Sequence, residues 1–306
     1  MKILVTGSSG FIGSHLHASH PELIKTLRFF NQSCVKDNSK FIVVPSINGN
    51  TDWGGRLQGI NAVIHLSGLA HSNDFSIEDY QSVNIDGVLN LARQAAIAGV
   101  ERFVFLSTVN VCGVSTTLTP FSKDSVPNPI SNYAKSKYDA ELGLKRIAKE
   151  TGLEVVIIRS TLVYGPNAPG NFGVLTKLVK KLSFLPFGLS KNKRDFISIQ
   201  NLASLLVTCA NHPSAAGHTF LASDGETVSI KDFTNAIAIG LNKKLIQLPV
   251  PVSIMRFLAL VVGKSAMAEQ VLGNLQVDSS NAQEVLGWVP PYTMEQAMAS
   301  LSEYKK

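Results

Sequence analysis

An apolar strand, Ile3-Leu4-Val5-Thr6, runs directly into Gly7-Ser8-Ser9-Gly10-Phe11-Ile12-Gly13. Glycines at this spacing let the chain turn sharply and let a bulky anion approach the backbone amides that open the next helix. The pattern is GxxGxxG rather than GxGxxG, and its meaning comes from its context, after an opening strand and before a helical stretch. It predicts a parallel α/β sheet whose first turn holds a dinucleotide.

The rest of the first half keeps that rhythm. Short apolar runs at 3–6, 41–44, 62–66, 102–107 and 155–159 read as buried strands, and helical spacing of apolar residues marks 85–98 and 133–149. Strand and helix in alternation predict a doubly wound parallel (Rossmann) sheet. After Gly165-Pro166 the rhythm breaks into a Pro-, Gly- and Asn-rich stretch, followed by a basic helix near 175–182. The expected division is a Rossmann domain over 1–165, to which 194–212 returns, and a smaller, discontinuous C-terminal α/β domain over most of 166–306.

Composition narrows the function classes. With 45% hydrophobic and 16% charged residues the chain is a folded globular protein, and 28 Lys plus Arg against 22 Asp plus Glu give +6, which suits an anionic ligand such as a nucleotide. Lys180-Lys181 and Lys191-Asn192-Lys193-Arg194 are short groups without a basic stripe or aromatic platform, so no nucleic-acid partner is expected. Cys34, Cys112 and Cys209 are far apart and form no CxxC, so neither a disulfide framework nor a metal site is expected. A strand beginning at Met1-Lys2-Ile3 leaves no room for an export signal, and a cytoplasmic location is the expectation. The apolar stretch 252–263 contains Ser253 and Arg256 and falls short of the roughly 20 residues that span a bilayer. It is read as a packed helix starting near Pro251; a helix on a membrane surface or at a partner interface is the competing reading.

The second chemical signal is Tyr133-Ala134-Lys135-Ser136-Lys137. Residues four apart share a helix face, so a phenol and an ammonium can meet there, and a neighbouring positive charge favours phenolate. Taken alone, an exposed Tyr and Lys on an amphipathic helix is the competing reading. The order of glycine turn, then Ser107-Thr108 at a strand end, then Tyr133 and Lys137 on the following helix favours a catalytic group.

On these motifs the chain resembles the extended short-chain dehydrogenases/reductases, in the branch of nucleotide-sugar epimerases, dehydratases and keto-reductases, over nearly its whole length. The resemblance implies catalysis by Thr108, Tyr133 and Lys137, and NAD or NADP as cofactor. It places the cofactor on Gly7, Gly10, Phe11, Ile12 and Gly13, on Leu66, Ser67 and Gly68 of the His65-Leu66-Ser67-Gly68 loop, on Asn84 in Val83-Asn84-Ile85, on Ser107 beside Thr108, and on Val163 in the segment from Arg159 to Pro166. The loop and Asn84 have a structural cap or core polar group as their alternative reading. Asn171 and Arg194 match positions that hold a sugar nucleotide's diphosphate, making the second domain a substrate domain, and a homodimer is a family expectation. The tail from Asp278 through Leu286-Gly287-Trp288 resembles the family's closing segment, while Phe187-Gly188 and Phe220-Leu221-Ala222 favour a subgroup like UDP-glucose 4-epimerase.

Some positions depart from the family pattern. The second strand, Thr26-Leu27-Arg28-Phe29-Phe30, offers no carboxylate for the ribose 2′-OH, and Arg28 would suit a 2′-phosphate; a surface Arg is the alternative. The adenine-side Asp is replaced by Ser46, and the usual Tyr before Gly113 by Cys112. Thr108 is followed by Val109-Asn110 instead of Asp-Glu, which argues against a 4,6-dehydratase. The expected activity is hydride transfer at C4 of a UDP-hexose or UDP-N-acetylhexosamine, as an epimerase first, with an NADPH-dependent 4-keto-sugar reductase second and a non-catalytic dinucleotide-binding sensor or scaffold third.

Overall fold

The computed structural model describes residues 1–28, 40–70 and 75–303. Among them, seven strands form one sheet: β1 (Ile3–Thr6), β2 (Ile24–Arg28), β3 (Phe41–Val44), β4 (Ala62–His65), β5 (Arg102–Thr108), β6 (Glu154–Ser160) and, after three strands outside this sheet, β10 (Thr219–Ala222). The order is β10-β6-β5-β4-β1-β2-β3 and every neighbouring pair is parallel. All residues of β1, β4 and β5 are buried, as both-sided coverage by helices demands of an apolar run with no polar alternation. The strand order reverses between β1 and β4, which opens a crevice at their carboxyl ends.

Helices α1 (Phe11–Ser19), α6 (Ile199–Asn211) and α10 (Ser280–Leu286) cover one face, where Leu16, Leu202, Leu205 and Leu286 meet Val5, Ile64 and Val104. The other face is covered by α3 (Gly87–Ile97) and α4 (Asn132–Thr151), where Leu91, Ala95, Ala140 and Leu144 meet Leu4, Val63 and Phe105. Each such buried leucine contributes roughly 1.5–3 kcal/mol relative to exposure.

The remaining strands are short. β7 (Leu162–Tyr164), β9 (Arg194–Ser198) and β11 (Thr227–Val228) form a second sheet, and β8 (Phe184–Leu185) pairs with β12 (Ile246–Gln247). With α5 (Gly170–Lys181), α7 (Ile230–Gly240), α8 (Val252–Val261), α9 (Ser265–Leu272) and α11 (Met294–Glu303) they build a lobe around Tyr164, Phe172, Phe196 and Phe233, in which the last two rings stack at 3.8 Å. Of the stretch 195–210, the strand pairs with β7 and β11, while the helix lies on the main sheet.

The structure differs from the sequence expectations in two elements. The helix expected over 85–98 begins earlier, at α2 (Ile77–Tyr80), because Ser76 and Asp79 form a reciprocal capping box; it continues through a wide π-helical turn, Gln81–Asp86, into α3. Helix α8 was expected to be packed, yet none of its residues is buried. Only Val252 and Met255 reach the lobe core, and Phe257, Leu258, Leu260 and Val261 face outward. Among the described residues no helix is long and apolar enough to cross a membrane.

Candidate active site

The glycine turn is a close-fitting cradle. Gly7 has φ +75°, and a Cβ there would stand 2.8 Å from the Leu66 carbonyl carbon; at Gly13 it would stand 2.2 Å from the Gly7 oxygen. Gly10 donates its N–H to the Gly7 carbonyl at 3.0 Å and caps α1 with no side chain, so the first-turn amides of that helix meet nothing larger than a glycine. The wall opposite is the end of β4: Leu66 N–H donates to the Thr6 carbonyl at 3.2 Å and Ser67 N–H to Thr6 Oγ1 at 3.3 Å. Phe11 packs toward the lobe and Ile12 toward the main core. At both positions a Cβ would strike backbone, so glycine is what lets the turn, the end of β4 and α1 approach this closely; the first-turn amides of α1 are where a dinucleotide pyrophosphate would bind. Arg28 ends β2 opposite Val44; its side chain and Cys34 lie outside the described residues.

Helix α4 carries the second part. Ser131 caps it by accepting the Ala134 N–H at 3.1 Å, which sets Tyr133, Lys137 and Glu141 one turn apart on a single face. Lys137 Nζ donates to the Leu106 carbonyl at 2.9 Å and lies 4.5 Å over the Phe105 ring. A Cβ on Gly68 would be 3.6 Å from that ammonium and 3.1 Å from Asn84 Oδ1, so the β4 loop, the π-turn and α4 converge here. Asn84, fully buried, accepts from Leu69 N–H at 2.8 Å and donates to the Leu69 carbonyl and Ser136 Oγ, both at 3.1 Å. It ties the loop to α4.

Burial pushes Lys137 down to about 8, against the attraction of Glu141. Burial also pushes the Tyr133 phenol up to about 12, with Tyr80, whose ring centre is 6.4 Å away, adding to the rise. The sequence expectation is a phenol lowered by its neighbouring ammonium; from the protein's own groups, desolvation and Tyr80 raise it instead. His65, pushed down to about 3 by burial and then by the Lys137 charge, is a neutral imidazole with Nδ1 2.9 Å from Thr6 Oγ1.

Thr108 is 8% exposed at the end of β5, where Oγ1 accepts the Asn110 N–H at 3.3 Å. A hydroxyl that accepts there retains a proton to donate. Ser107 points elsewhere: its hydroxyl donates to Glu141 Oε1 at 2.5 Å. Glu141 in turn receives Arg159 Nε at 3.1 Å and Nη2 at 2.6 Å, and Arg159 Nη1 reaches Cys112 Sγ at 3.4 Å. Sequence reasoning missed Glu141. The available signal was a carboxylate eight residues after Tyr133, on a helical stripe otherwise committed to burial.

The two expected diphosphate residues stand in the lobe. Arg194 is 8% exposed and donates to the Gly273 carbonyl at 2.9 Å; burial pushes it down to about 10 against the pull of Asp195. Asn171, exposed at the start of α5, donates to Gln270 Oε1 at 3.3 Å. Both therefore touch the end of α9, 270–273. Val163 lies on β7, half-buried against the main core.

Residues 3–223 match the NAD dependent epimerase/dehydratase family. The chain is 39% identical over 312 residues to a UDP-glucose 4-epimerase of Vibrio cholerae, covering 98% of this chain and 94% of that protein. Two solved structures share the fold at 23% identity, each covering 99% of this chain and 98% of the other: a UDP-glucose 4-epimerase of Thermotoga maritima with UDP-glucose, TM-score 0.75, and a UDP-glucuronic acid 4-epimerase of Bacillus cereus with NAD, TM-score 0.77.

Proposed function

The chain belongs to the NAD dependent epimerase/dehydratase family, and from that premise we propose that it interconverts UDP-hexoses, or their N-acetyl forms, at C4. The observation that supports this reading is that Lys137 stands beside Gly68 and donates to the Leu106 carbonyl, two residues before Thr108, with Tyr133 one turn away on the same face of α4. Bound over that turn, NAD or NADP supplies the acceptor and donor for the C4 hydrogen.

The protein's own groups supply the rest. Tyr133 takes the proton of the sugar 4-hydroxyl and returns it, Thr108 orients that hydroxyl by donating to it, and Lys137, fixed by the Leu106 carbonyl, supplies the positive charge that makes phenolate accessible. Burial raises the phenol, which opposes that effect and keeps the hydroxyl protonated in the free protein. Gly7, Gly10, Phe11, Ile12 and Gly13 receive the pyrophosphate; Leu66, Ser67 and Gly68 wall the site; Ser107 and Asn84 hold that wall and α4 in place. Asn171 and Arg194 receive the substrate diphosphate, for which a forked guanidinium is suited.

In this reading residues 1–165, with 194–212, bind the nucleotide and the remainder of 166–306 binds the sugar nucleotide. The enzyme works in the cytoplasm, takes no nucleic acid, and forms a homodimer by likeness to its family. The test uses purified protein with UDP-glucose, UDP-galactose or their N-acetyl forms and no added cofactor. Interconversion is expected; stoichiometric NADPH loss with a 4-keto sugar nucleotide, without interconversion, would establish a reductase instead.

A further inference from the structure

We propose that the C-terminal lobe docks on an anionic lipid bilayer through the face made by α5, the β8–β12 pair and α8. The inference is independent of the sugar chemistry above.

The face is apolar over a wide area. Along α5, Val174, Leu178 and the capping Leu182 recur at one-turn spacing and are all exposed. Phe184 and Ile246, register partners in the β8–β12 pair, stand out at 54% and 63% exposed, and Leu248 continues the line. Helix α8 adds Ile254, Phe257, Leu258, Leu260 and Val261, and Val262 follows. These pieces are joined: Lys243 donates to the Val179 and Lys180 carbonyls at the end of α5, Leu248 N–H donates to the Leu185 carbonyl, and Pro251 caps α8.

The segments that carry them are basic. Residues 174–193 contain Lys177, Lys180, Lys181, Lys191 and Lys193 and no acid; residues 241–268 contain Lys243, Lys244, Arg256 and Lys264 and no acid. The lysines are exposed. Arg256 pairs with Glu269 at 2.8 Å, so the lysines carry the net charge of the face.

Charge selects the occupant. A second copy in a two-fold arrangement would set this face against itself, lysine opposite lysine, which is repulsive. A bilayer with anionic headgroups accepts both features at once, the apolar side chains at the acyl boundary and the lysines at the phosphates. Helix α8, ten residues long and so about 15 Å, is far too short to span the membrane and suited to lying in its surface.

The test is flotation of the full chain with vesicles of phosphatidylcholine alone and of phosphatidylcholine with about a third phosphatidylglycerol. The expected result is flotation with the anionic vesicles, at least ~10-fold above the neutral ones, falling as salt rises. Phe257→Ser with Val261→Ser should reduce it about tenfold while the thermal midpoint holds. If that pair fails to fold, Lys180→Gln with Lys181→Gln gives the same readout through charge. Absence from both vesicle fractions, or equal flotation of wild type and both variants, would overturn the proposal. So would a dimer, seen by sedimentation, that the serine variant abolishes, or binding only to an acidic protein.

Discussion

Glu141 and Arg159 form a buried ion pair beneath the Tyr133–Lys137 face: their closest atoms are 2.6 Å apart and their side chains are 0% and 4% exposed. Removing either partner of such a buried pair would strand the other's charge.

Glu141→Gln should therefore destabilise the protein by about 3–5 kcal/mol, whereas Glu141→Met with Arg159→Met should cost much less because no charge is left unpaired. Urea unfolding of the two variants checks this. Equal losses would show that the pair acts through packing alone.

Tyr133→Phe removes the proton acceptor and leaves the ring. Turnover should fall by about 10²–10⁴-fold with nucleotide affinity essentially unchanged, as read by steady-state rates beside a binding titration. Retained activity would remove Tyr133 from its assigned role.

Gly13→Ala puts a methyl 2.2 Å from the Gly7 oxygen, a backbone atom that has no room to retreat. Nucleotide affinity should collapse. At Gly99, φ is +79° but a Cβ meets nothing within 4 Å, so Gly99→Ala should cost only the ~1–2 kcal/mol of left-handed strain and leave affinity intact. Fluorescence titration of both variants with NAD and NADP makes the comparison.

Lys137 titrates near 8 in the folded chain against an ordinary 10.5. Between those values the unfolded chain holds the proton and the folded chain does not, so this group makes stability rise with pH across that window, and below about 8 its buried charge is a standing cost. Lys137→Met removes the dependence. The stability difference between wild type and variant, measured by denaturant unfolding from pH 7 to 10.5, should shift in favour of wild type as pH rises.

The glycine turn, β1 and the Tyr133–Lys137 spacing were legible because each is a local pattern: a few residues whose chemistry dictates their own conformation. Strand β10 was less so. Its residues Phe220-Leu221-Ala222 read only as a family likeness, because a four-residue edge strand carries no periodicity to separate it from a loop, and pairing with β6 is what makes it a strand. The Glu141–Arg159 contact joins a helix to a strand 18 residues on, and such long-range pairing is invisible to spacing. Helix α8 failed for a related reason: an apolar run says that a segment avoids water, not which surface relieves it.

The π-turn at Gln81–Asp86 acts as a phase adjuster. A π-turn takes more residues per turn than the α-helix on either side of it, and with it in place the capping box at Ser76 and the buried Leu91 and Ala95 each keep their positions. The turn also holds the fully buried Asn84 against Leu69 and Ser136, so a change of length there would be felt at the wall of the site as well as in the helix.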